Sequence, residues 1–71
     1  MKVTVITVII NGTSRELAEG VTLAEVVGTW SKTDQGVAVA VNDQVVSRSE
    51  WPGVVLADGD RVEILTAVQG G

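Results

Sequence analysis

The fold is decided by the segment Thr22-Leu23-Ala24-Glu25-Val26-Val27-Gly28-Thr29-Trp30. Its large apolar residues recur at the spacing of one helix face, which is formed by Leu23, Val26, Val27 and Trp30. Thr22 and Glu25 have the spacing of a capping box, in which both side chains bond backbone N–H groups at a helix start. We therefore predict one helix here, with Trp30 in the core. Gly28 costs a helix up to about 1 kcal/mol relative to alanine, so we expect a close approach to the sheet or an early helix end there.

Two strands are predicted before this helix. Val3–Ile10 consists entirely of β-branched residues, which favours a first strand that is buried on both faces. Asn11-Gly12 then provides the two residues of positive φ that a tight hairpin turn requires. A second strand over Thr13 to Leu17 or Ala18 would run antiparallel to the first, and Glu19-Gly20 would end it.

Three more strands are predicted after the helix and the polar residues 32–36. Val37–Val41 alternates bulky and small side chains, which indicates a strand, and Asn42-Asp43 then turns the chain into a short strand at Gln44–Val46. Ser47–Pro52 is predicted to be a loop with one helical turn, in which Trp51 is a candidate for a partner surface. Asp58-Gly59-Asp60 is a turn signal, and the last strand follows from the alternation of Val62, Ile64, Thr66 and Val68.

The order of these elements predicts an α+β fold. It suits one mixed sheet of four to five strands with a single helix packed across it, which is the β-grasp or ubiquitin-like architecture. A right-handed crossover would bring a later strand parallel to the first. The 15 valines, 4 isoleucines and 7 threonines agree with a chain rich in strands. We predict a β-grasp domain over residues 1–68 and a flexible tail over residues 69–71.

The composition excludes several classes of function. The 71 residues include no Cys and no His, which excludes a zinc site, an iron–sulfur cluster and a disulfide framework. With no Tyr either, the chain lacks the usual nucleophile and base pairs, so we expect no catalytic residue and no enzyme. The net charge of −4 is spread along the chain without a basic patch, which disfavours nucleic-acid binding.

No targeting or membrane segment is expected. The apolar residues 3–10 are too few to span a bilayer, and a turn follows them where a signal peptide would have a cleavage site. We expect a cytoplasmic protein without a membrane partner and without a bound metal or cofactor.

Two acidic pairs and the end of the chain are the candidate sites. Asp58 and Asp60 lack the further ligands of a calcium loop, and a solvated hairpin turn explains them. Glu16 and Glu19 are expected to be exposed carboxylates without a function. Gln69-Gly70-Gly71 differs, because a tail without Cβ atoms can enter a narrow channel and deliver its α-carboxylate to another protein's active site.

Four stretches carry a resemblance: Gly36-Val-Ala-Val-Ala-Val-Asn42, Arg48-Ser-Glu-Trp51, Val55-Leu-Ala-Asp-Gly-Asp-Arg-Val-Glu63 and Thr66-Ala-Val-Gln-Gly-Gly71. Through them the sequence resembles the sulfur-carrier proteins of thiamin biosynthesis, the ThiS family. The similarity covers most of residues 11–71 and fits the Asn11-Gly12 turn and the helix start at Thr22. One departure is Val3–Ile10, which looks longer than the first strand of that family.

The resemblance implies a protein that is a co-substrate of other enzymes. An adenylating, E1-like enzyme would use ATP to activate the Gly71 carboxylate, and a sulfur donor, a cysteine desulfurase or a persulfide protein, would convert it to a thiocarboxylate. Thiazole synthase would then take the sulfur for the thiazole ring. Gln69, Gly70 and Gly71 would enter the partners' channels, and a modest surface on the sheet would dock reversibly.

Three alternatives share some of these features. The small subunit of molybdopterin synthase has the same fold and tail, but it would co-purify with a large catalytic subunit. A ubiquitin-like modifier would form isopeptide bonds to lysines. A plain binding module that uses only the sheet would tolerate the loss of Gly70 and Gly71.

Overall fold

The chain forms one mixed sheet crossed by a helix. A computed structural model describes residues 4–30 and 36–66. The elements, in chain order, are β1 Val5–Ile10, β2 Thr13–Ala18, α1 Leu23–Trp30, β3 Val37–Val41, β4 Gln44–Val46, a 3₁₀ helix Arg48–Gly53 and β5 Arg61–Thr66. The strand order in the sheet is β2-β1-β5-β3-β4, with β1 and β5 parallel and the other neighbours antiparallel. The predicted sheet, the helix and the parallel pairing of the first strand with a later one are confirmed, whereas Val3, residues 32–35 and Val68 lie outside the described residues.

Both hairpin turns follow from residues that accept positive φ. Asn11 and Gly12 have φ values of 50° and 84°, and Asn42 and Asp43 have values of 50° and 70°. Positive φ at both central residues gives the turn a twist that matches the paired strands, so the hairpins close tightly. The predicted turns at these two places are therefore confirmed.

The helix begins as its capping box predicts. The Thr22 N–H donates to Glu25 Oε1 at 3.1 Å, and the Glu25 N–H donates to Thr22 Oγ1 at 3.3 Å. The expected close approach at Gly28 is wrong, because no atom beyond its chain neighbours and its own helix backbone lies within 4 Å of the place where a Cβ would stand. Gly28 lies instead in the last turn of a helix that ends at Trp30. Within the described ranges, no helix has the length and hydropathy needed to cross a membrane.

The core lies between α1 and one face of the sheet. In β1 the buried Ile6, Val8 and Ile10 alternate with more exposed residues, and Val5 is 54% exposed. The prediction that this strand is buried on both faces is therefore wrong, since α1 covers only one of them. The buried apolar side chains are Ile6, Val8, Ile10, Leu23, Val26, Val27, Val39, Trp51, Leu56, Val62 and Ile64.

The burial of the two tryptophans is the opposite of what the sequence predicts. Trp30 is 37% exposed, and the guanidinium carbon of Arg15 lies 5.3 Å from its ring centroid. Trp51 is only 4% exposed, and its indole N–H donates to the Val46 carbonyl at 3.0 Å. The last residue of α1 thus lies over the edge strand β2, while the 3₁₀ helix places Trp51 in the core.

Candidate functional site

The predicted site residues Gln69, Gly70 and Gly71 lie outside the described residues. The structure does describe β5, the strand that precedes them in the sequence and ends at Thr66. This strand lies in the middle of the sheet, parallel to β1 on one side and antiparallel to β3 on the other. The predicted reacting group therefore follows the central strand of the sheet in the sequence.

The turn before β5 is fixed by hydrogen bonds to two carboxylates. Asp58 Oδ1 accepts from the Thr7 N–H at 2.7 Å, and Asp60 Oδ2 accepts from the Ala57 N–H at 2.8 Å. Asp60 Oδ1 also accepts from the Asn42 side chain at 3.0 Å, and Gly59 between them has a φ of 89°. The two aspartates therefore brace the start of β5, where the sequence predicts only a solvated hairpin turn.

The acidic residues form no metal centre in the described part of the chain. No group of three or more Asp or Glu side chains could hold a cation there. Glu16 lies in the edge strand β2, and Glu19 follows that strand, with both side chains exposed. The chemistry that these positions offer is that of ordinary solvated carboxylates.

An apolar patch lies on the sheet face opposite to α1. We define it as Ala38, Ala40, Val45 and Leu65, which line one depression of the surface together with Val39 and Glu63, the latter directly across from Ala40. The pairs Ala38–Leu65 and Ala40–Val45 lie directly across from each other in the strand register, so all four side chains share one face. Val45 is 83% exposed and Leu65 is 68% exposed. Single exposed apolar residues are common, whereas several side by side on one face make this surface a candidate for docking a partner.

A family model, described as the ThiS family, matches residues 8–71. The chain belongs to the ThiS family. The match includes β5, the apolar patch and the three residues of the predicted tail, Gln69, Gly70 and Gly71. The resemblance expected from the sequence is thereby confirmed.

Similar proteins agree with this membership. Over 62 residues the chain is 42% identical to the sulfur carrier protein ThiS of Thermus thermophilus, a match that covers 87% of this chain and 95% of that protein. The crystal structure of the thiamine biosynthesis protein ThiS from Geobacter metallireducens superposes with a TM-score of 0.74 at 28% identity, covering 93% of this chain and 100% of that one. The β-grasp fold is confirmed by this likeness.

A third match joins the ThiS-like sequence to an enzyme. A thiazole synthase of Paramagnetospirillum magneticum is 32% identical over 63 residues, which cover 89% of this chain and 19% of that protein. A minor part of that enzyme's length is therefore similar to almost all of this ThiS family chain.

The sequence reasoning missed the position of the apolar patch. Its signal was present as the small side chains of Ala38 and Ala40, which alternate in β3 with the buried Val39 and the partly buried Val37 and Val41. Leu65 and Val45 give no local signal, because their exposure depends on which face of the sheet α1 covers. Their common place becomes visible only when β3, β4 and β5 are paired.

Proposed function

We propose that this ThiS family protein is the sulfur carrier of thiamin biosynthesis, and that the carboxyl group of Gly71 carries the sulfur. The proposal rests on the family match, which extends through Gly70 to Gly71. It is supported by the Thermus thermophilus relative, which is named a sulfur carrier protein and which this chain matches over nearly its whole length.

The chemistry requires an activated carboxyl group. In the first step a Gly71 carboxylate oxygen attacks the α-phosphorus of ATP on an adenylating enzyme, and pyrophosphate leaves. The terminal sulfur of a persulfide donor then attacks the acyl carbon, and AMP leaves. Cleavage of the sulfur–sulfur bond by a thiol gives the thiocarboxylate and a disulfide. Two easier substitutions thus replace one difficult one, as in covalent catalysis.

The protein acts in these steps as a co-substrate. Its sequence has no Cys to hold a persulfide and no His to move a proton near neutral pH. Both groups must come from partner proteins, namely the adenylating enzyme and the sulfur donor. The contribution of this chain is a folded body that partners recognise and a terminal carboxyl group that they can reach.

Thiazole synthase is the proposed acceptor of the sulfur. This is supported by the thiazole synthase of Paramagnetospirillum magneticum, in which 19% of the length matches this chain. Linking two modules in one chain raises the effective concentration of each for the other, which benefits modules that work together.

The apolar patch is the proposed docking surface for the adenylating enzyme. Leu65 lies in β5, six residues before Gly71 in the sequence. A partner that holds this surface would position the body of the carrier next to the strand that leads to the reacting group. A patch of four small to medium side chains suits a transient complex better than an obligate one.

Intact mass spectrometry tests the proposed function. The protein is incubated with a ThiS-adenylating enzyme, ATP and a persulfide donor, and its mass is expected to increase by the difference between a sulfur and an oxygen atom. Omission of ATP is the control and should leave the mass unchanged. An unchanged mass with partners that are active on their own carrier would refute the proposal. Conjugates of higher mass on lysines would instead indicate a ubiquitin-like modifier.

Substitution of Leu65 by aspartate is expected to weaken docking. The KM of the adenylating enzyme for the carrier should rise by at least about tenfold, equivalent to about 1.4 kcal/mol, because a carboxylate would be buried without a partner. The kcat should stay unchanged, since Gly71 is intact. The measurement is the rate of pyrophosphate release as a function of carrier concentration.

Val5→Asp is the matched control for this substitution. Val5 is also an exposed apolar residue outside the core, but it lies at the start of β1, far along the sheet from the end of β5. The KM of the adenylating enzyme for the Val5→Asp carrier should stay within about twofold of the value for the wild type, as is usual for surface substitutions away from an interface. A similar rise in KM for both variants would show that the apolar patch is not the docking surface.

A further inference from the structure

The second half of β5 extends past the end of β1. The parallel pairing of these strands covers only Ile9 with Arg61 and Ile10 with Val62. On its other side, β5 pairs with β3 along five residue pairs, as far as Thr66 with Val37. Because β1 turns away at Asn11-Gly12, the exit half of β5, residues 64–66, has a neighbouring strand on one side only among the described strands.

The side chain of Asn11 takes the place of the missing strand. Its Oδ1 accepts from the Ile64 N–H at 2.8 Å, and its Nδ2 donates to the Ile64 carbonyl at 3.1 Å. The Asn11 backbone N–H also donates to the Val62 carbonyl at 2.9 Å. A primary amide has the same donor and acceptor as a peptide group, so Asn11 adds one more rung to the parallel ladder.

This residue has two separate roles, which different substitutions can distinguish. Its φ of 50° serves the hairpin turn, and glycine would accept the same conformation. Its amide serves β5, and glycine could not replace it. The turn alone therefore does not require asparagine at this position, whereas the contact with Ile64 does.

We propose that Asn11 is a positioning residue for the reaction at Gly71, an inference that rests on the proposed function. By holding Ile64 on the side that β1 leaves open, the amide keeps the exit half of β5 in the sheet. It thereby fixes the point from which the chain continues toward Gly71. Without the amide, that half of the strand opens more often, and a partner must order it again on docking.

Asn42 provides a matched control within the same chain. It has the same φ of 50° in the other hairpin turn. Its Oδ1 accepts from the Arg61 N–H at 3.0 Å, and its Nδ2 donates to Asp60 Oδ1 at 3.0 Å. Asn42→Gly thus removes one side-chain hydrogen bond to the first residue of β5 and one to Asp60 just before it, whereas Asn11→Gly removes two from the exit half.

The experiment compares Asn11→Gly and Asn42→Gly with the wild type in two measurements. Amide hydrogen exchange is followed at Ile64, and KM and kcat of the carrier are measured with the adenylating enzyme at a temperature where all variants are folded. For Asn11→Gly we expect Ile64 exchange to accelerate by about tenfold or more and KM to rise by about fivefold or more, with kcat within about twofold. For Asn42→Gly we expect KM within about twofold of the wild type.

The outcomes separate this inference from the proposed function. An unchanged KM for Asn11→Gly, or an equal rise for Asn42→Gly, overturns the positioning role while the sulfur carrier function stands. A wild-type protein that no active partner adenylates overturns both. Should Asn11→Gly fail to fold, Asn11→Asp keeps the turn and the acceptor for the Ile64 N–H but has no donor for the Ile64 carbonyl, and its KM is expected to rise in the same direction.

Discussion

Substitution of Trp51 by alanine is expected to lower the free energy of unfolding by about 3–5 kcal/mol. The side chain lies in the core and is only 4% exposed, so its removal leaves a cavity. The Val46 carbonyl also loses the hydrogen bond that it accepts from the indole N–H. A single core in a chain of this size supplies roughly 3–5 kcal/mol of stability, so a large unfolded population should result at room temperature. Urea denaturation followed by circular dichroism measures this change.

Trp30→Ala is the control, with which the loss of stability in Trp51→Ala is compared. Trp30 is 37% exposed and contacts the Arg15 guanidinium, a cation–π interaction that contributes about 0.5–1 kcal/mol at an exposed site. We expect its loss to cost no more than about 1 kcal/mol. If the two variants are equally destabilised, the assignment of Trp51 to the core and Trp30 to the surface is incorrect.

The burial of the two tryptophans, which is the opposite of that predicted, shows what a sequence repeat cannot predict. Trp30 continues the helical repeat of Leu23, Val26 and Val27, but the repeat does not say where the sheet beneath the helix ends. Trp51 belongs to a 3₁₀ helix of six residues, too short to have a readable repeat. Its burial depends on the chain passing back against the helix start, where the Leu23 N–H donates to the Val54 carbonyl at 2.8 Å.

The turns and the helix cap were predictable because their requirements are local. Positive φ at Asn11-Gly12 and at Asn42-Asp43 depends on the residue types at those adjacent positions, and the capping box joins residues only three apart. The contact of Asn11 with Ile64 joins residues 53 apart in the sequence. No local pattern could specify that contact, since it depends on the parallel pairing of β1 with β5.

The same limit explains why the faces of the sheet are harder to predict than its strands. A run of valine and isoleucine in β1 indicates a strand, and on its own it also suggests burial on both sides. One helix of eight residues covers only one side. The residues of the other face, Leu65 among them, are therefore exposed in the described part of the chain.

Removal of Gly71 is expected to abolish the mass increase that the adenylating enzyme, ATP and a persulfide donor produce in the full chain. The truncated protein still ends in a glycine carboxylate, that of Gly70. Its reacting carbon, however, would lie up to about 3.5 Å short of the position that it takes in the partner's site. A displacement of this size is far outside what a positioned substitution tolerates. The measurement is the intact mass after incubation.

Two further variants distinguish the requirement for the length of the tail from the requirement that it has no side chains. One added alanine after Gly71 moves the carboxylate too far, while Gly71→Ala keeps the length and adds only a Cβ. If the partners' channels exclude a Cβ, both variants should lose the mass increase. Gly53→Ala is the control, because no atom beyond its chain neighbours lies within 4 Å of the added Cβ, and it should react like the wild type. A truncated chain that still gains sulfur would show that Gly71 is not the carrier residue.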